Sequence, residues 1–195
     1  QFDTIYHEHY SYLSLQVVER MAARVGLVLV DVEELPTHGG SLRFWLAPQA
    51  SGRQPSALVE EVRAMECAAG LESLEAWADF ARRAEAAKNG LLRFLLSEKD
   101  AGRTVLGYGA AAKGNTLLNF AGVRSDLLAA IADRAISKQG RFLPGSHIPV
   151  ISPEHLAERD PQTLLVLPWN LITEVAEQWP GRRLATAIPD LQIRG

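Results

Sequence analysis

Gly107-Tyr108-Gly109-Ala110-Ala111-Ala112-Lys113-Gly114-Asn115-Thr116, reached through the apolar run Thr104 to Tyr108, is the stretch whose reading decides the fold. A short apolar run, then glycines, then a run of helix formers is a strand feeding a helix through a tight turn. Gly107 and Gly109 let the backbone turn sharply and come close to a ligand. The helix start that follows presents unpaired N–H groups and the positive end of a dipole, which suits a phosphate. Lys113 adds a full positive charge and Asn115 an amide in the same turn. The spacing departs from two known phosphate loops, because Gly-x-Gly-x-x-Gly needs glycine at Ala112 and a Walker loop needs Ser or Thr at Gly114. A glycine turn that binds nothing stays open beside the anion-binding reading.

Downstream of this turn, short apolar runs alternate with helical ones. Thr104 to Tyr108, Leu128 to Ala132, Ile148 to Ile151, Leu164 to Leu167 and Leu184 to Ile188 are strand candidates. Lys113 to Ala121, Pro153 to Ala157 and Leu171 to Gln178 are candidate helical crossovers. Strands separated by helices of that length predict an α/β, Rossmann-like, doubly wound and mainly parallel sheet over residues 102–195, with ligands at the strand ends. Polar groups cluster where those ends are expected: Asp133-Arg134, the loop Lys138 to Gly145, and Pro168-Trp169-Asn170. An acid closing the second strand, as Asp133 does, binds a ribose or sugar hydroxyl or else caps a solvated turn.

Upstream, Leu74, Trp77, Ala81, Ala84, Lys88, Leu91 and Leu95 recur at three or four residues, which predicts an amphipathic helix over about 72–100 with a possible break at Asn89-Gly90. A helix from Ser56 to Gly70 precedes it, after the linker Ser51-Gly52-Arg53-Gln54-Pro55. Residues 11–25 read as a helix with Leu13, Val17, Met21 and Val25 on one stripe, Ser11 or Ser14 as cap and Gly26 as stop. The runs Leu27 to Val32 and Leu42 to Leu46 form a hairpin around Pro36, His38, Gly39 and Gly40. This gives a loop, helix and hairpin over 1–50, a helical connector over 51–101, and the sheet over 102–195.

Composition narrows the function classes. A chain of 195 residues with 47% hydrophobic residues has ample material for a core. Lys and Arg number 20 against 23 Asp and Glu, a net charge of −3 with no single-sign block, so neither nucleic acid nor a membrane surface is favoured as partner. The single Cys67 excludes an intrachain disulfide and a multi-Cys zinc knuckle within these residues. No run reaches 18 apolar residues and the start has no signal-peptide pattern, so the expectation is a cytoplasmic protein cut from something longer.

Chemistry concentrates near the start. Tyr6, His7, Glu8 and His9 place a phenol, two imidazoles and a carboxylate in four consecutive positions. An imidazole titrates near neutrality, so His beside Glu and Tyr is suited to taking a proton from a weakly acidic C–H. The competing readings are a half-buried element edge with Glu8 facing solvent, and a metal site on His7, Glu8 and His9, for which no Asp or His partner cluster lies nearby in sequence.

Phe2-Asp3-Thr4-Ile5-Tyr6-His7-Glu8-His9, Thr37-His38-Gly39-Gly40-Ser41, the glycine stretch 107–116, Lys138-Gln139-Gly140-Arg141-Phe142-Leu143-Pro144-Gly145 and Leu167-Pro168-Trp169-Asn170, in this order, resemble the C-terminal half of S-adenosylmethionine-dependent C-methyltransferases. Known members methylate nucleotide-linked deoxy-keto-sugars. The resemblance implies a four-Cys zinc module and a glycine-rich cofactor loop upstream, both absent from this sequence, so that the chain would start inside the methyltransferase domain, depend on the rest of its parent chain for S-adenosylmethionine, and be inactive alone. It implies His9 as general base, with Tyr6 and Glu8 lining the same pocket, and no metal in these residues. Gly107, Gly109, Lys113 and Asn115 are expected to approach the diphosphate or nucleotide, and His38, Asp133, Trp169 and Asn170 the sugar or ribose. The other reading left open is a noncatalytic nucleotide-binding or regulatory module.

Overall fold

The computed structural model describes residues 2–195 apart from the side chain of His38, so the expected contact of His38 with substrate lies outside the described residues. By internal contacts the chain forms two compact units: Tyr10–Ala81, and Arg82–Gly195 together with the segment up to His9.

In the first unit, helix α1 (Leu15–Arg24) leads into a two-stranded antiparallel sheet of β1 (Leu27–Leu35) and β2 (Ser41–Pro48), followed by α2 (Ala57–Ala68). The helix starts later than the apolar stripe alone predicts because the Ser14 hydroxyl accepts the Val17 N–H and caps it there. Glu66 of α2 adds to the cap, its carboxylate accepting the N–H groups of Leu15 and Gln16 at 2.6 and 3.1 Å. Leu15, Leu29, Val32, Val59 and Val62 are buried together, so both helices cover one face of the hairpin. Each such side chain stabilises the fold by about 1.5–3 kcal/mol on full burial. Both strands outrun their predicted ends because their polar residues pair across the ladder, as Glu33 does with Arg43 at 2.9 Å.

The second unit is built on a six-stranded sheet of β3 (Val105–Tyr108), β4 (Ile131–Ala132), β5 (Val150–Ile151), β6 (Thr163–Val166), β7 (Arg183–Thr186) and β8 (Gln192–Arg194), in the order β5-β4-β3-β6-β7-β8. All neighbours are parallel except β7 and β8. The predicted α/β, mainly parallel, Rossmann-like sheet is the fold observed. Helices α4 (Ala112–Ala121), α5 (Pro153–Arg159) and α6 (Ile172–Gln178) follow β3, β5 and β6.

Side-chain parity along the strands fixes the layers. Leu106, Tyr108, Leu164, Val166 and Leu184 face one side, where Leu156 of α5 and Val175 of α6 pack on them. Thr163 and Arg183 have the opposite parity and meet helix α3 (Leu74–Asp100) through Glu98. Helix α3 runs unbroken through Asn89-Gly90. Burial of Ala87, Leu91, Phe94 and Leu95 on one stripe outweighs the roughly 1 kcal/mol that a mid-helix glycine costs.

Glu98 is the anchor of this face. Only 1% exposed, it accepts from Arg103 at 2.7 and 2.9 Å and from Arg183 at 2.6 Å. The Arg103 hydrogen bonds, helped by Arg183 and opposed by burial, hold its carboxyl at about 2, far below the usual range for Glu.

Two features escape the apolar pattern. β4 and β5 pair in parallel although residues 133–149 between them hold no helix; backbone bonds such as Gly140 N–H to Val150 O (2.9 Å) and Leu143 N–H to Ile148 O (2.9 Å) fold that connection on itself. β8 is an exposed three-residue edge strand whose pattern has no apolar run to betray it.

Candidate active site

The strand order reverses between β3 and β6, and the loops that leave their C-terminal ends diverge to leave a crevice, the usual place for ligands in open α/β sheets. A cavity of about 550 Å³ opens there over Tyr108, with Arg134, Gln139 and Glu154 on one side and Gln178 and Trp179 on the other. A smaller one of about 230 Å³ shares Tyr108, Arg134 and Gln178 and reaches Gly109, Asp133 and Pro168. The Tyr108 hydroxyl donates to Gln178 Oε1 at 2.7 Å, and its ring meets Trp179 edge-on at 6.1 Å. Among the described residues the Arg134 guanidinium has no hydrogen-bond or ion-pair partner, which leaves a cation available to an anionic ligand.

Asp133 braces this crevice. Its Oδ2 accepts the Ala110 N–H at 2.8 Å and Lys138 Nζ at 3.0 Å, its Oδ1 accepts the Ala135 N–H at 2.8 Å, and Lys138 Nζ also donates to the Ala110 carbonyl at 2.9 Å. The acid at the second strand end therefore ties the glycine turn to the loop after β4.

The glycines fit the loops to one another. Gly109 has φ +86°, and a Cβ there would lie 2.5 Å from Pro168 Cδ; a Cβ on Gly114 would lie 2.6 Å from Leu167 Cβ, and one on Gly107 2.6 Å from Ile131 Cγ1. The close approach that these residues permit is to the protein's own β4 and β6 segments. Lys113, 7% exposed, places Nζ 5.0 Å from the Trp169 ring centroid, and Asn115 Oδ1 accepts from Asn119 Nδ2 at 3.1 Å. Asn170 is exposed.

Tyr6 to His9 stand on a hook that packs against α4 and Trp169. Phe2 meets Phe120 of α4 with centroids 5.2 Å apart, and the Thr116 hydroxyl donates to the Ile5 carbonyl at 3.2 Å. Asp3, 1% exposed, accepts the Trp169 indole N–H on Oδ2 at 2.7 Å, while its buried Oδ1 has no hydrogen-bond partner among the described residues. Beyond the single turn Phe2–Thr4 the chain bends back, His9 N–H donating to the Tyr6 carbonyl at 2.9 Å.

This bend sets the chemistry of His9. Its Nδ1 lies 2.8 Å from the Thr4 carbonyl oxygen. A carbonyl only accepts, so Nδ1 carries the hydrogen of this contact, and Nε2 is the ring's other nitrogen. The Tyr6 ring lies against the imidazole, centroids 4.1 Å apart at 35°, and the His9 ring reaches solvent. Glu8 lies 3.8 Å from His7 Nε2, both exposed; the group that orients the His9 ring is a backbone carbonyl. Among the described residues no three His, Cys, Asp or Glu side chains gather as a metal site, and no helix is long and apolar enough to cross a membrane.

The structure thus brings Tyr6 and His9 together, Lys113 and Trp169 together, and Gly109 and Asp133 to one crevice. Asp3, Thr116, Gln178 and Trp179 were not singled out from sequence. Asp3 sits inside the quoted Phe2 to His9 motif, a signal that was available; Gln178 and Trp179 reach the crevice only through the path of α6.

Residues 36–187 match the family model described as the C-methyltransferase C-terminal domain. The chain is 35% identical to C-methyltransferase NovU of Streptomyces niveus over 99% of its own length and 47% of that protein, so it spans about half the length of this relative. With the match covering most of the chain and the mainly parallel sheet in place, the protein belongs to the C-methyltransferase C-terminal domain family.

Proposed function

We propose that these residues serve a longer enzyme that transfers a methyl group from S-adenosylmethionine to the carbon α to a ketone, on a nucleotide-linked deoxy-keto-sugar, with His9 as general base. The observation that supports this reading is the exposed His9 ring, oriented through Nδ1 by the Thr4 carbonyl and lying against the Tyr6 phenol. Nε2 is assigned to take the α proton; the C–H electron pair moves into an enolate, and the Tyr6 hydroxyl is assigned to donate to its oxygen. S-adenosylmethionine, when bound, supplies the electrophilic sulfonium methyl that the carbon attacks. Its pocket is assigned to the upstream part of the parent chain, with residues 1–50 read as the tail of that methyltransferase domain and 51–101 as the helical connector.

The crevice fits the nucleotide part of such a substrate. Arg134 supplies a cation for the diphosphate, and the Tyr108 and Trp179 rings an apolar floor. The same crevice also supports a second reading, a nucleotide-binding module without chemistry, and one variant separates the two. In the full-length protein His9→Ala lowers methyl transfer by roughly two to four orders of magnitude with KM nearly unchanged. Tight nucleotide binding with turnover untouched by His9→Ala establishes the module instead.

A further inference from the structure

The hook that carries His9 and Tyr6 is held to the sheet unit by an arrangement that neither the proton transfer nor substrate binding uses. The Trp169 N–H edge donates to Asp3 Oδ2 at 2.7 Å, while the face of the same indole carries the Lys113 ammonium at 5.0 Å. Asp3 and Lys113 are 1% and 7% exposed. An acid and a base are thus buried on either side of one aromatic ring. A carboxylate at the indole N–H pushes electron density onto the ring face, which strengthens its hold on the cation.

Filling space does not require this. A leucine at position 3 would have a similarly branched shape without the desolvation penalty of a carboxylate whose Oδ1 has no hydrogen bond among the described residues. What Asp3 adds is direction. It lies in the single turn Phe2–Thr4, and the next residue presents the carbonyl that fixes the His9 tautomer. The loop that carries Trp169 also lines the crevice through Pro168 and Leu171. One short segment therefore registers the base and the crevice to each other.

We propose that Trp169 and Asp3 are positioning residues for the methyl transfer: their hydrogen bond, backed by Lys113 over the indole, sets the hook so that His9 Nε2 faces the acceptor carbon. The inference rests on the base reading above. A misplacement of about 1 Å at such a base costs roughly a hundredfold in rate.

The test uses the full-length enzyme with a nucleotide-linked deoxy-keto-sugar as acceptor and S-adenosylmethionine as donor. Trp169→Phe keeps the ring and removes the donor. Its kcat falls at least about tenfold with KM within about twofold, and ¹⁵N spectra of labelled His9 change from the Nδ1–H tautomer to a mixture. Asp3→Asn, which keeps an oxygen acceptor, retains most of kcat, whereas Asp3→Leu falls with Trp169→Phe and carries the test if that variant does not fold. Wild-type kcat and a wild-type His9 spectrum in both Trp169→Phe and Asp3→Leu overturn the proposal. His9→Ala, run alongside, separates the two ideas. Loss of turnover there with none in Trp169→Phe removes the positioning role and leaves the base. No loss in His9→Ala removes the base, and the His9 spectrum then decides the anchoring alone.

Discussion

Two buried carboxylates hold the sheet unit from different places, and they differ in how fully they are paired. Glu98 uses both oxygens on two guanidinium groups, with the Thr163 hydroxyl at 3.5 Å as well. Asp3 has one oxygen on an indole N–H and the other without a hydrogen bond among the described residues. A saturated carboxylate tying a helix to strand starts is a staple, and its contribution is to stability. A half-paired one beside the proposed base is a poor staple, and the role proposed for it is geometry.

The largest effect that would break this contrast is on stability. Glu98→Ala leaves Arg103 and Arg183 facing each other without their counter-ion and costs about 3 kcal/mol or more in a denaturant melt, while kcat per folded molecule stays near wild type. Asp3→Leu reverses the pattern, with a cost of about 1 kcal/mol or less and the loss of kcat given above. If the two variants exchanged phenotypes, the contrast would fail.

A glycine separates loop fit from ligand approach. Gly109→Ala places a Cβ at positive φ and 2.5 Å from Pro168 Cδ, and about 2–4 kcal/mol is lost in the same melt. A neutral Gly109→Ala would mean that the β3 and β6 loops are not braced against each other.

Acid unfolding sharpens the role of Glu98. Its folded carboxyl sits at about 2 against 4.5 for the ordinary group. The folded value is the lower one, so the stabilisation is fully present above about pH 4.5 and is lost as pH falls toward 2. Glu98→Gln should flatten that acid limb of a stability-against-pH curve; an unchanged slope would remove Glu98 from the account.

The smallest stability effect belongs to the crevice. Arg134→Ala changes stability by no more than about 0.5 kcal/mol, because the guanidinium has no partner among the described residues. Its affinity for a nucleoside diphosphate, measured by calorimetry in the full-length protein, drops about tenfold. Unchanged affinity would place the diphosphate elsewhere.

The parts of this picture that were legible in the sequence are those governed by local pattern. Short apolar runs between helical ones predicted the parallel sheet, and the glycine turn marked the strand end where the crevice forms. Ser14 was available as a cap for α1. What stayed hidden depends on contacts distant in sequence. Nothing near Asn89-Gly90 says that Leu91, Phe94 and Leu95 will be buried and carry the helix through. Residues 133–149 bridge parallel strands without the helix that such a crossover usually contains. The hook is the clearest case: Asp3 and Trp169 are 166 residues apart, and Ile5 and Thr116 are 111 apart. Sequence order separated these segments into different parts of the chain. The proposal for Tyr6 to His9 starts from residue types, but the Thr4 carbonyl that orients His9 is backbone and leaves no trace in composition.

Deuterium uptake addresses the central claim without the methyl step. The full-length protein is incubated in D₂O with a nucleotide-linked deoxy-keto-sugar and no methyl donor, and label at the carbon α to the ketone is followed by NMR. The wild type should exchange that hydrogen, and His9→Ala should do so slower by roughly two orders of magnitude or more. Exchange at the wild-type rate in His9→Ala would show that another group takes the proton.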